Sequence, residues 1–225
     1  MNPSLLCLPA GLVSYTEGLS LQKQARALVE AGKYDGVLLL LEHRPVITAG
    51  RGGGRENLVA SPAELAEAGI EFVESDRGGN VTCHNPGQLV GYPILNLACW
   101  RQDVHWYVDR LEEVLIRTLV EYGVHAGRKA RYTGVWVGNS KITAIGVSVR
   151  HWITGHGFAL NVRNDLTLFR SIVPCGIEEF GVTSLQRLGV AVGLQEIEGC
   201  LSNKFCEVFD ARVATEPREG RRGEA

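Results

Sequence analysis

The chain has 225 residues, is 45% hydrophobic and carries 23 Lys and Arg against 25 Asp and Glu, for a formal net charge of −2. The balanced charge excludes nonspecific nucleic-acid binding, which needs a basic excess to displace counterions. No segment approaches the ~20 apolar residues of a membrane span, and the first residues lack the basic and apolar regions of a signal peptide. We therefore expect a cytoplasmic protein with one domain over residues 1–214 and a charged, disordered tail over residues 215–225.

In the first half of the chain, capping residues and apolar periodicity predict alternating helices and strands. Ser14 and Glu17 form a capping box for a helix that ends near Gly32, and Asp103 caps a longer helix that ends near Gly123. The other predicted elements are a strand buried on both faces over 36–42, a short strand over 46–48, a short helix over 61–69, and strands over 70–73 and 89–95. A loop rich in glycine and arginine covers residues 50–55.

The second half predicts a run of strands followed by one helix. Strands over 134–137, 141–149 and 157–162 are joined by short polar turns, with Gly138-Asn139-Ser140 as the hairpin turn between the first two. Residues 165–170 predict a helical turn. Apolar residues at helical spacing from Leu194 to Val208 predict a last amphipathic helix.

One stretch, Arg77 to Gln88, concentrates unusual residue types between two apolar runs. It holds three glycines, an arginine, a histidine and a proline. Glycine pairs let the backbone approach a ligand closely or adopt positive φ, at a cost in chain entropy. We therefore interpret the stretch as the floor of an active site. Its Arg-Gly-Gly matches neither the dinucleotide-binding nor the Walker pattern of a phosphate loop.

Two side chains outside this stretch are candidates for chemistry. Cys175 stands between Pro174 and Gly176, which together would leave its sulfur accessible on a sharp bend. A reactive thiol needs a cation or hydrogen-bond donor that lowers its pKa, whereas most free cysteines are small buried hydrophobic residues. Lys141 begins an apolar strand, where a lysine is usually a solvated end residue unless it faces a partner that needs positive charge. The local sequence leaves both questions open.

Three further features also allow alternatives. His84 is either a polar turn residue, a hydrogen-bond donor to a carbonyl oxygen, or a base. The small residues at 144–146 and around Gly157 leave either a slot for an alkyl chain or, as the residues alone favour, tight packing between strands. We predict no metal, because the spacings of the conceivable zinc ligands match no familiar set; those residues are Cys83, His84, Cys99 and His105.

Several segments carry a family pattern, in the order in which the family has them: Arg77-Gly78-Gly79-x-x-Thr82-x-His84-x-Pro86-Gly87-Gln88-Leu89-x-x-Tyr92-Pro93, Gly134-Val135-Trp136-Val137, Lys141-Ile142-x-Ala144-Ile145-Gly146-Val147, His156-Gly157-Phe158-Ala159-Leu160-Asn161, Pro174-Cys175-Gly176 and Val182-Thr183-Ser184-Leu185. Together they resemble the lipoyl(octanoyl) transferases, also called the lipoate-protein ligase B family. The resemblance spans residues 42–188. It departs from the family pattern at Cys83, where an aromatic residue is expected.

The resemblance implies a fold and an activity. The fold is a mixed β-sheet flanked by helices, of the α/β (α+β) class, like the catalytic core of biotin- and lipoate-protein ligases. The activity is transfer of an octanoyl group from acyl-carrier protein to a lysine of apo lipoyl domains, without a cofactor, by a monomer that binds neither nucleic acid nor membrane. The acceptors are the lipoyl domains of 2-oxoacid dehydrogenase complexes and the glycine-cleavage H protein. Because the donor is already a thioester, exchange onto a cysteine needs no ATP.

By position, the resemblance implies that Cys175 is the acyl-thioester nucleophile and that Lys141 is the acid/base that activates it. It also implies that the acyl chain is held by three segments, which consist of Arg77, Gly78, Gly79, Asn80, Val81, Thr82, Cys83 and His84; Ala144, Ile145 and Gly146; and Gly157, Phe158 and Ala159.

Three other functions compete with this one. An ATP-dependent lipoate or biotin ligase on the same core would activate a free acid as an adenylate and would need no cysteine. A non-catalytic acyl-binding protein would keep the pocket without the reaction. A cysteine hydrolase using Cys175 and His84 would release the free acid.

Overall fold

The computed structural model describes residues 2–172 and 180–215. Its helices are α1 (Tyr15–Glu30), α2 (Pro62–Glu67), α3 (Val104–Glu121) and α4 (Leu194–Phe209). Its strands are β1 (Ser4–Val13), β2 (Gly36–His43), β3 (Val46–Ala49), β4 (Glu71–Glu74), β5 (Val81–His84), β6 (Gln88–Leu95), β7 (Gly127–Lys129), β8 (Tyr132–Val137), β9 (Ser140–Arg150), β10 (Ile153–Asn161), β11 (Gly181–Val182) and β12 (Arg212–Val213). Short 3-10 turns lie at Arg55–Asn57, Leu97–Cys99, Leu166–Ser171 and Gln186–Leu188.

Among the described residues, nine strands form one mixed sheet in the order β12-β1-β2-β6-β10-β9-β8-β7, with β11 paired to β9. β1 runs parallel to β2 and to β12, whereas the ladders from β2 through β7 are antiparallel. A second sheet has the order β4-β3-β5. Since β3 follows β2 directly and β5 leads into β6, the small sheet branches from the centre of the large one.

β2 shows why the large sheet is covered on both faces. Val37, Leu39 and Leu41 pack in a cluster with residues of α1, while Leu38 and Leu40 pack in a larger cluster with α3 and α4. All five side chains are at most 2% exposed. An apolar run without alternation is expected of a strand buried on both faces. The arrangement confirms the predicted mixed sheet flanked by helices.

Most of the predicted elements are present. Both side chains of the Ser14–Glu17 capping box make their bonds, and Asp103 caps α3 through its bond to the Trp106 N–H. The hairpin turn between β8 and β9 and the helical turn that begins after Asp165 are also confirmed. The sequence did not predict β1, which pairs with β2 through a register shift between Pro9 and Gly11. Of the helices in the described residues, none is long and apolar enough to cross a membrane.

Candidate active site

A cavity of about 480 Å³ opens between the large sheet and the small one. Its wall comes from β6, β9 and β10, from β5 and the loop before it, and from the start of α1. The predicted site residues on this wall are Arg77, Gly79, Asn80, Val81, Thr82, His84, Lys141, Ala144, Ile145, Gly146, Gly157, Phe158 and Ala159. The fold therefore brings three segments that are far apart in sequence to one cavity.

Among the described residues, Gly78 and Cys83 are the predicted site residues that do not belong to this wall. The Gly78 N–H donates to the Val147 carbonyl at 2.8 Å, which ties the loop to β9. The Cys83 side chain points to the opposite face of β5 from His84, and its Sγ lies 3.5 Å from the Leu168 carbonyl. Burial raises the pKa of this thiol, so it is unreactive where it lies. Cys175 falls within residues 173–179, outside the described residues.

Two glycine-containing loops close one side of the cavity. The N–H groups of Gly50, Arg51 and Gly52 donate to the carbonyls of Asn80, Arg77 and Gly79 respectively, at 2.9–3.3 Å. A Cβ atom at Gly50 would lie only 2.3 Å from the Gly79 carbonyl oxygen. The mutual approach of the two loops therefore requires glycine at this position.

Arg77 is buried and its guanidinium is bonded to protein groups. Nη2 donates to the Thr48 carbonyl at 2.7 Å and to Thr48 Oγ1 at 2.9 Å, and Nε donates to the same hydroxyl at 3.2 Å. Nη1 donates to the Gly78 carbonyl at 3.1 Å. The side chain thus ties β3 to the loop and leaves a fixed positive charge on the cavity wall.

The small residues of β9 and β10 allow both tight packing between strands and a slot for an alkyl chain, the two alternatives that the sequence left open. A Cβ at Gly157 would lie 2.2 Å from the Gly91 carbonyl oxygen, and one at Gly146 would lie 2.7 Å from that of Gly78. These glycines therefore allow close packing of backbones, as the residues alone favoured. The same positions, with Ala144 and Ala159, also leave the sheet surface low enough for the cavity above it.

Lys141 faces the cavity because of an irregularity in the β8–β9 ladder. Val135 pairs with Thr143 but Trp136 pairs with Lys141, so Ile142 is an extra residue in β9. With strict alternation, residues 141 and 144 would point to opposite faces of the sheet. The bulge instead directs Ile142 into the core under α3 and α4 and puts Lys141 on the same wall as Ala144.

Contacts with Thr133 and Trp136 help to hold the Lys141 ammonium at this wall. Nζ donates to the Thr133 carbonyl at 3.1 Å and lies 4.8 Å from the centroid of the Trp136 ring. An aromatic face attracts a cation. The strand β8 therefore holds the lysine at the cavity through Thr133 and through Trp136 of the family segment. Lys141 is thus not a solvated strand end.

His84 is the end of a relay of side-chain amides. Gln88 Nε2 donates to the Cys83 carbonyl and to Asn161 Oδ1, and Asn161 Nδ2 donates to the Thr183 carbonyl. Because the two carbonyls can only accept, Gln88 must turn Oε1 towards His84 Nδ1, 2.7 Å away. Nδ1 therefore carries the proton and donates. Nε2 has no partner among the described residues, and in the neutral ring it is an acceptor.

This protonation state changes the expectation for His84. Burial lowers its pKa to about 3, with a smaller effect from the neighbouring His43 ring. The ring is therefore neutral at physiological pH. It cannot donate from Nε2 to a carbonyl oxygen, which was one of the alternatives, and it is too weakly basic to hold a proton near pH 7.

Four aromatic side chains that the sequence did not single out complete one end of the cavity. Tyr15, Tyr92 and His156 line it, and His43 lies behind them. Tyr92 and His156 stand within the family segments, and Tyr15 follows the helix cap, but only the fold shows that they meet. Burial lowers the pKa of His43 to about 4 and also lowers that of His156, against the opposing effect of Asp76.

The conceivable zinc ligands are not assembled. Cys83 contacts the Leu168 carbonyl, whereas Cys99 donates to Asp35 Oδ1 at 3.3 Å. Within residues 2–172 and 180–215, no three His, Cys, Asp or Glu side chains are grouped as metal ligands.

Comparison with known proteins gives consistent results along the chain. The model of the lipoyl protein ligase A/B catalytic domain matches residues 14–206. The octanoyltransferase of Clostridium kluyveri is 49% identical over 205 residues, which cover 91% of this chain and 88% of that protein.

Two solved structures share the fold at low sequence identity. A bipartite lipoate protein ligase from Thermoplasma acidophilum superposes with a TM-score of 0.69 at 18% identity, covering 96% of this chain and 88% of its own. The biotin protein ligase of Aquifex aeolicus, in complex with biotin and ATP, superposes with a TM-score of 0.54 at 14% identity, covering 92% and 70%. Both likenesses concern the fold alone, and they agree with the architecture expected from the sequence.

Proposed function

The chain belongs to the lipoyl protein ligase A/B catalytic-domain family, and we propose that it is an octanoyltransferase that acylates a lysine of lipoyl domains. The octanoyl donor is acyl-carrier protein, and the acyl group passes through a thioester on Cys175. The observation that supports this function most directly is the 49% identity to an octanoyltransferase over 91% of the chain.

The cavity supports an alkyl substrate. Its floor consists of small and apolar side chains, among them Val90, Ala144 and Ala159, and no Asp or Glu is found among the described residues that line it. An alkyl chain gains free energy from burial against such a surface. A cavity of about 480 Å³ is within the range that small-molecule sites occupy.

The chemistry balances without a cofactor. In the first step the Cys175 thiolate attacks the donor carbonyl carbon, a sulfur–carbon bond forms, and the carrier leaves as a thiol after taking a proton. In the second step the acceptor lysine amine attacks the new thioester, a nitrogen–carbon bond forms, and the thiol is regenerated with the amine proton. Covalent catalysis of this kind divides one difficult transfer into two easier ones.

Lys141 supports both steps in this scheme. As an ammonium it would stabilise the Cys175 thiolate and lower the pKa of the thiol. Once the thiolate has been acylated, that stabilisation of the ammonium is lost, and the lysine can accept the proton of the incoming amine. The contacts to Thr133 and Trp136 keep Nζ at the cavity wall for this purpose.

The donor is an acidic protein, so a basic rim is the expected docking surface. Arg131 is exposed and lines the cavity near Lys141, whereas Arg51 lies 3.9 Å from Asp76 in an ion pair. Arg131 is therefore the better placed of the two to meet the carrier protein.

The ATP-dependent ligases are the nearest alternative. They share this fold, but at 18% identity or less that likeness does not extend to function. Cys175, between a proline and a glycine, supports a thioester intermediate that a ligase does not need. A non-catalytic acyl-binding protein has no use for both Cys175 and Lys141.

The test is transfer without ATP. The protein is incubated with octanoyl-carrier protein and an apo lipoyl domain, and the intact masses of enzyme and acceptor are followed. We expect an octanoyl adduct on the enzyme, followed by octanoyl-lysine on the acceptor. Cys175→Ser should abolish the thioester adduct, while Cys200→Ser, a partly buried thiol on α4, should behave as wild type. Absence of octanoyl-lysine, or transfer only with ATP, would contradict the proposal.

The role of Lys141 is tested through the reactivity and the titration of the Cys175 thiol. Lys141→Ala should slow formation of the acyl-enzyme by about 10²- to 10⁴-fold and raise the apparent pKa of Cys175 in alkylation kinetics. Lys33→Ala, an exposed lysine, is the matched control. An unchanged thiol titration in Lys141→Ala would separate Lys141 from Cys175. Release of free octanoate as the main product would instead support a hydrolase.

A further inference from the structure

We propose that Tyr15, Tyr92 and His156 form an end wall that sets the longest acyl chain the cavity accepts. The inference rests on the proposed function, because it assumes that an acyl group occupies the cavity. It concerns residues outside the three segments that the family resemblance assigns to the acyl chain.

The floor of the cavity consists of rows of small residues with Lys141 at one end. β9 and β10 pair Ala144 with Ala159 and Gly146 with Gly157, and β6 places Val90 opposite Ala159. Lys141 lies on β9 before the first row. A chain that starts beside Lys141 and runs along β9 therefore crosses the alanine row and then the glycine row.

Bulky rings stand where the small residues end. His156 directly precedes Gly157 on β10, and Tyr92 follows Gly91 on β6. Their rings meet edge to face, with centroids 6.1 Å apart. Tyr15 approaches from α1, with its ring stacked on that of His84 at 6.4 Å. All of these side chains line the cavity.

The rings are held in place by groups behind them. Tyr92 Oη donates to His43 Nε2 at 2.7 Å, because His43 Nδ1 is turned to the Val13 carbonyl. Tyr15 Oη donates to Ser75 Oγ at 3.0 Å. His156 Nε2 donates to Asp76 Oδ1 at 2.7 Å. The end wall is therefore held in place, and a longer chain cannot move it aside without breaking these hydrogen bonds, of which the one between Tyr92 and His43 is buried.

The length of the floor fits an acyl group of medium length. Lys141 and Gly146 are five positions apart on β9, which corresponds to about 16 Å at ~3.3 Å per strand residue before the shortening caused by the bulge at Ile142. This distance accommodates an octanoyl thioester, but not the long acyl chains of membrane lipids. The end wall thus sets the upper limit of acyl-chain length, because it excludes longer chains from the cavity.

The experiment measures kcat/KM for carrier-bound acyl groups of six to fourteen carbons with one acceptor domain. Tyr92→Leu and Tyr15→Leu shorten the wall and should raise the dodecanoyl-to-octanoyl ratio by at least about tenfold. Ala144→Val narrows the floor and should shift the preference towards six carbons. Tyr107→Leu removes a buried tyrosine of α3 that lies outside the cavity, and it should leave the ratio unchanged.

A binding measurement separates the wall from catalysis. Dodecanoate should raise the Tm of Tyr92→Leu more than that of wild type, while octanoate should raise both. If wild type transfers the octanoyl group and the variants rank acyl chains by kcat/KM in the same order as wild type, the end wall is refuted and the proposed function stands. If wild type transfers no acyl group but the variants shift fatty-acid binding as described, the wall stands and the proposed function fails. An equal shift in Tyr107→Leu would also refute the wall.

Discussion

Polar side chains on the cavity wall are fixed by partners that lie behind the wall. Arg77 is bonded to Thr48, His84 to Gln88, and Tyr92 to His43. Each buried polar group that has a partner avoids the cost of an unsatisfied hydrogen bond. The positions of the wall residues therefore depend on residues that never touch a substrate.

Arg77→Lys should destabilise the protein and impair activity, although it keeps the charge. A lysine ammonium cannot reproduce the fork that reaches the Thr48 carbonyl, the Thr48 hydroxyl and the Gly78 carbonyl together. We expect a loss of about 2–4 kcal/mol in the free energy of unfolding, measured by urea denaturation. Arg117→Lys, on the exposed surface of α3 with Glu113 as its partner, should cost less than about 0.5 kcal/mol. Equal losses in the two variants would contradict the assigned role.

At the scale of single residues, the sequence motifs identified most residues of the cavity wall but not the tautomer of His84. The motif residues from Arg77 to His84 and from Ala144 to Gly146 were predicted together, and most of them share one wall. Cys83 does not line the cavity, since it faces the other side of β5. The tautomer of His84 follows from hydrogen bonds that Gln88 makes to the Cys83 carbonyl and to Asn161, and only the fold shows that these groups meet.

In the strand β9, one irregular position decides whether Lys141 points into the cavity. Its apolar sequence predicted a strand correctly, but a period of two would have turned Lys141 away from Ala144. The bulge at Ile142 lies in the pairing with β8, where Gly134 packs closely against the Thr143 carbonyl. That glycine has φ of +124° and donates its N–H to Glu112 Oε1 on α3 at 2.9 Å.

Gly134→Ala should disturb both stability and catalysis. A Cβ there would lie 2.5 Å from the Thr143 carbonyl oxygen and 3.5 Å from Lys141 Cε, in a backbone conformation that disfavours alanine. We expect a cost above about 2 kcal/mol and a slower transfer reaction. The measurements are urea denaturation and single-turnover acylation of Cys175.

Gly138→Ala provides the control for backbone strain alone. This turn glycine has φ of +57° with no atom near its missing Cβ, so the cost should be about 1 kcal/mol. Its acylation rate should equal that of wild type. A Gly134→Ala protein as stable and active as Gly138→Ala would show that the contact with Thr143 is unimportant.

β1 was not predicted, for physical reasons that differ from those at β9. Pro9 lacks an N–H and Gly11 adopts φ of +65° within the strand, and both residues are depleted in strands. The parallel neighbour β2 overrides these local preferences, since Leu5 and its neighbours complete the core. Helix caps, in contrast, are local, and they predicted α1 and α3 well.

For the molecule as a whole, the cluster of neutral histidines makes stability sensitive to acid. Burial holds the pKa of His43 at about 4 and that of His84 at about 3, below their ordinary value of 6.5. Between those values and 6.5, the unfolded chain binds protons that the folded protein excludes. The free energy of unfolding should therefore fall by a few kcal/mol as the pH is lowered from about 6.5 towards 4.

Urea denaturation across this pH range measures the effect. His43→Gln, which removes one of the groups, should show a smaller loss on acidification than wild type, although it is less stable near pH 7. His125→Gln, at an exposed position after α3, should keep the wild-type pH dependence. A pH dependence that is the same in all three proteins would place the acid sensitivity elsewhere.

The extra residue in β9 has a consequence for how the gene tolerates change. Deleting the codon for Ile142 would remove the bulge and still leave Lys141 two positions before Ala144, on the same face of the sheet. Inserting one codon between Lys141 and Ile142 would instead turn Lys141 from the cavity into the core, where an ammonium is costly to bury. An insertion in the Gly138–Asn139 turn would only lengthen a surface loop. In an insertion scan of this hairpin, losses of function should therefore concentrate in a few codons around Ile142, even where substitutions at the same codons are accepted.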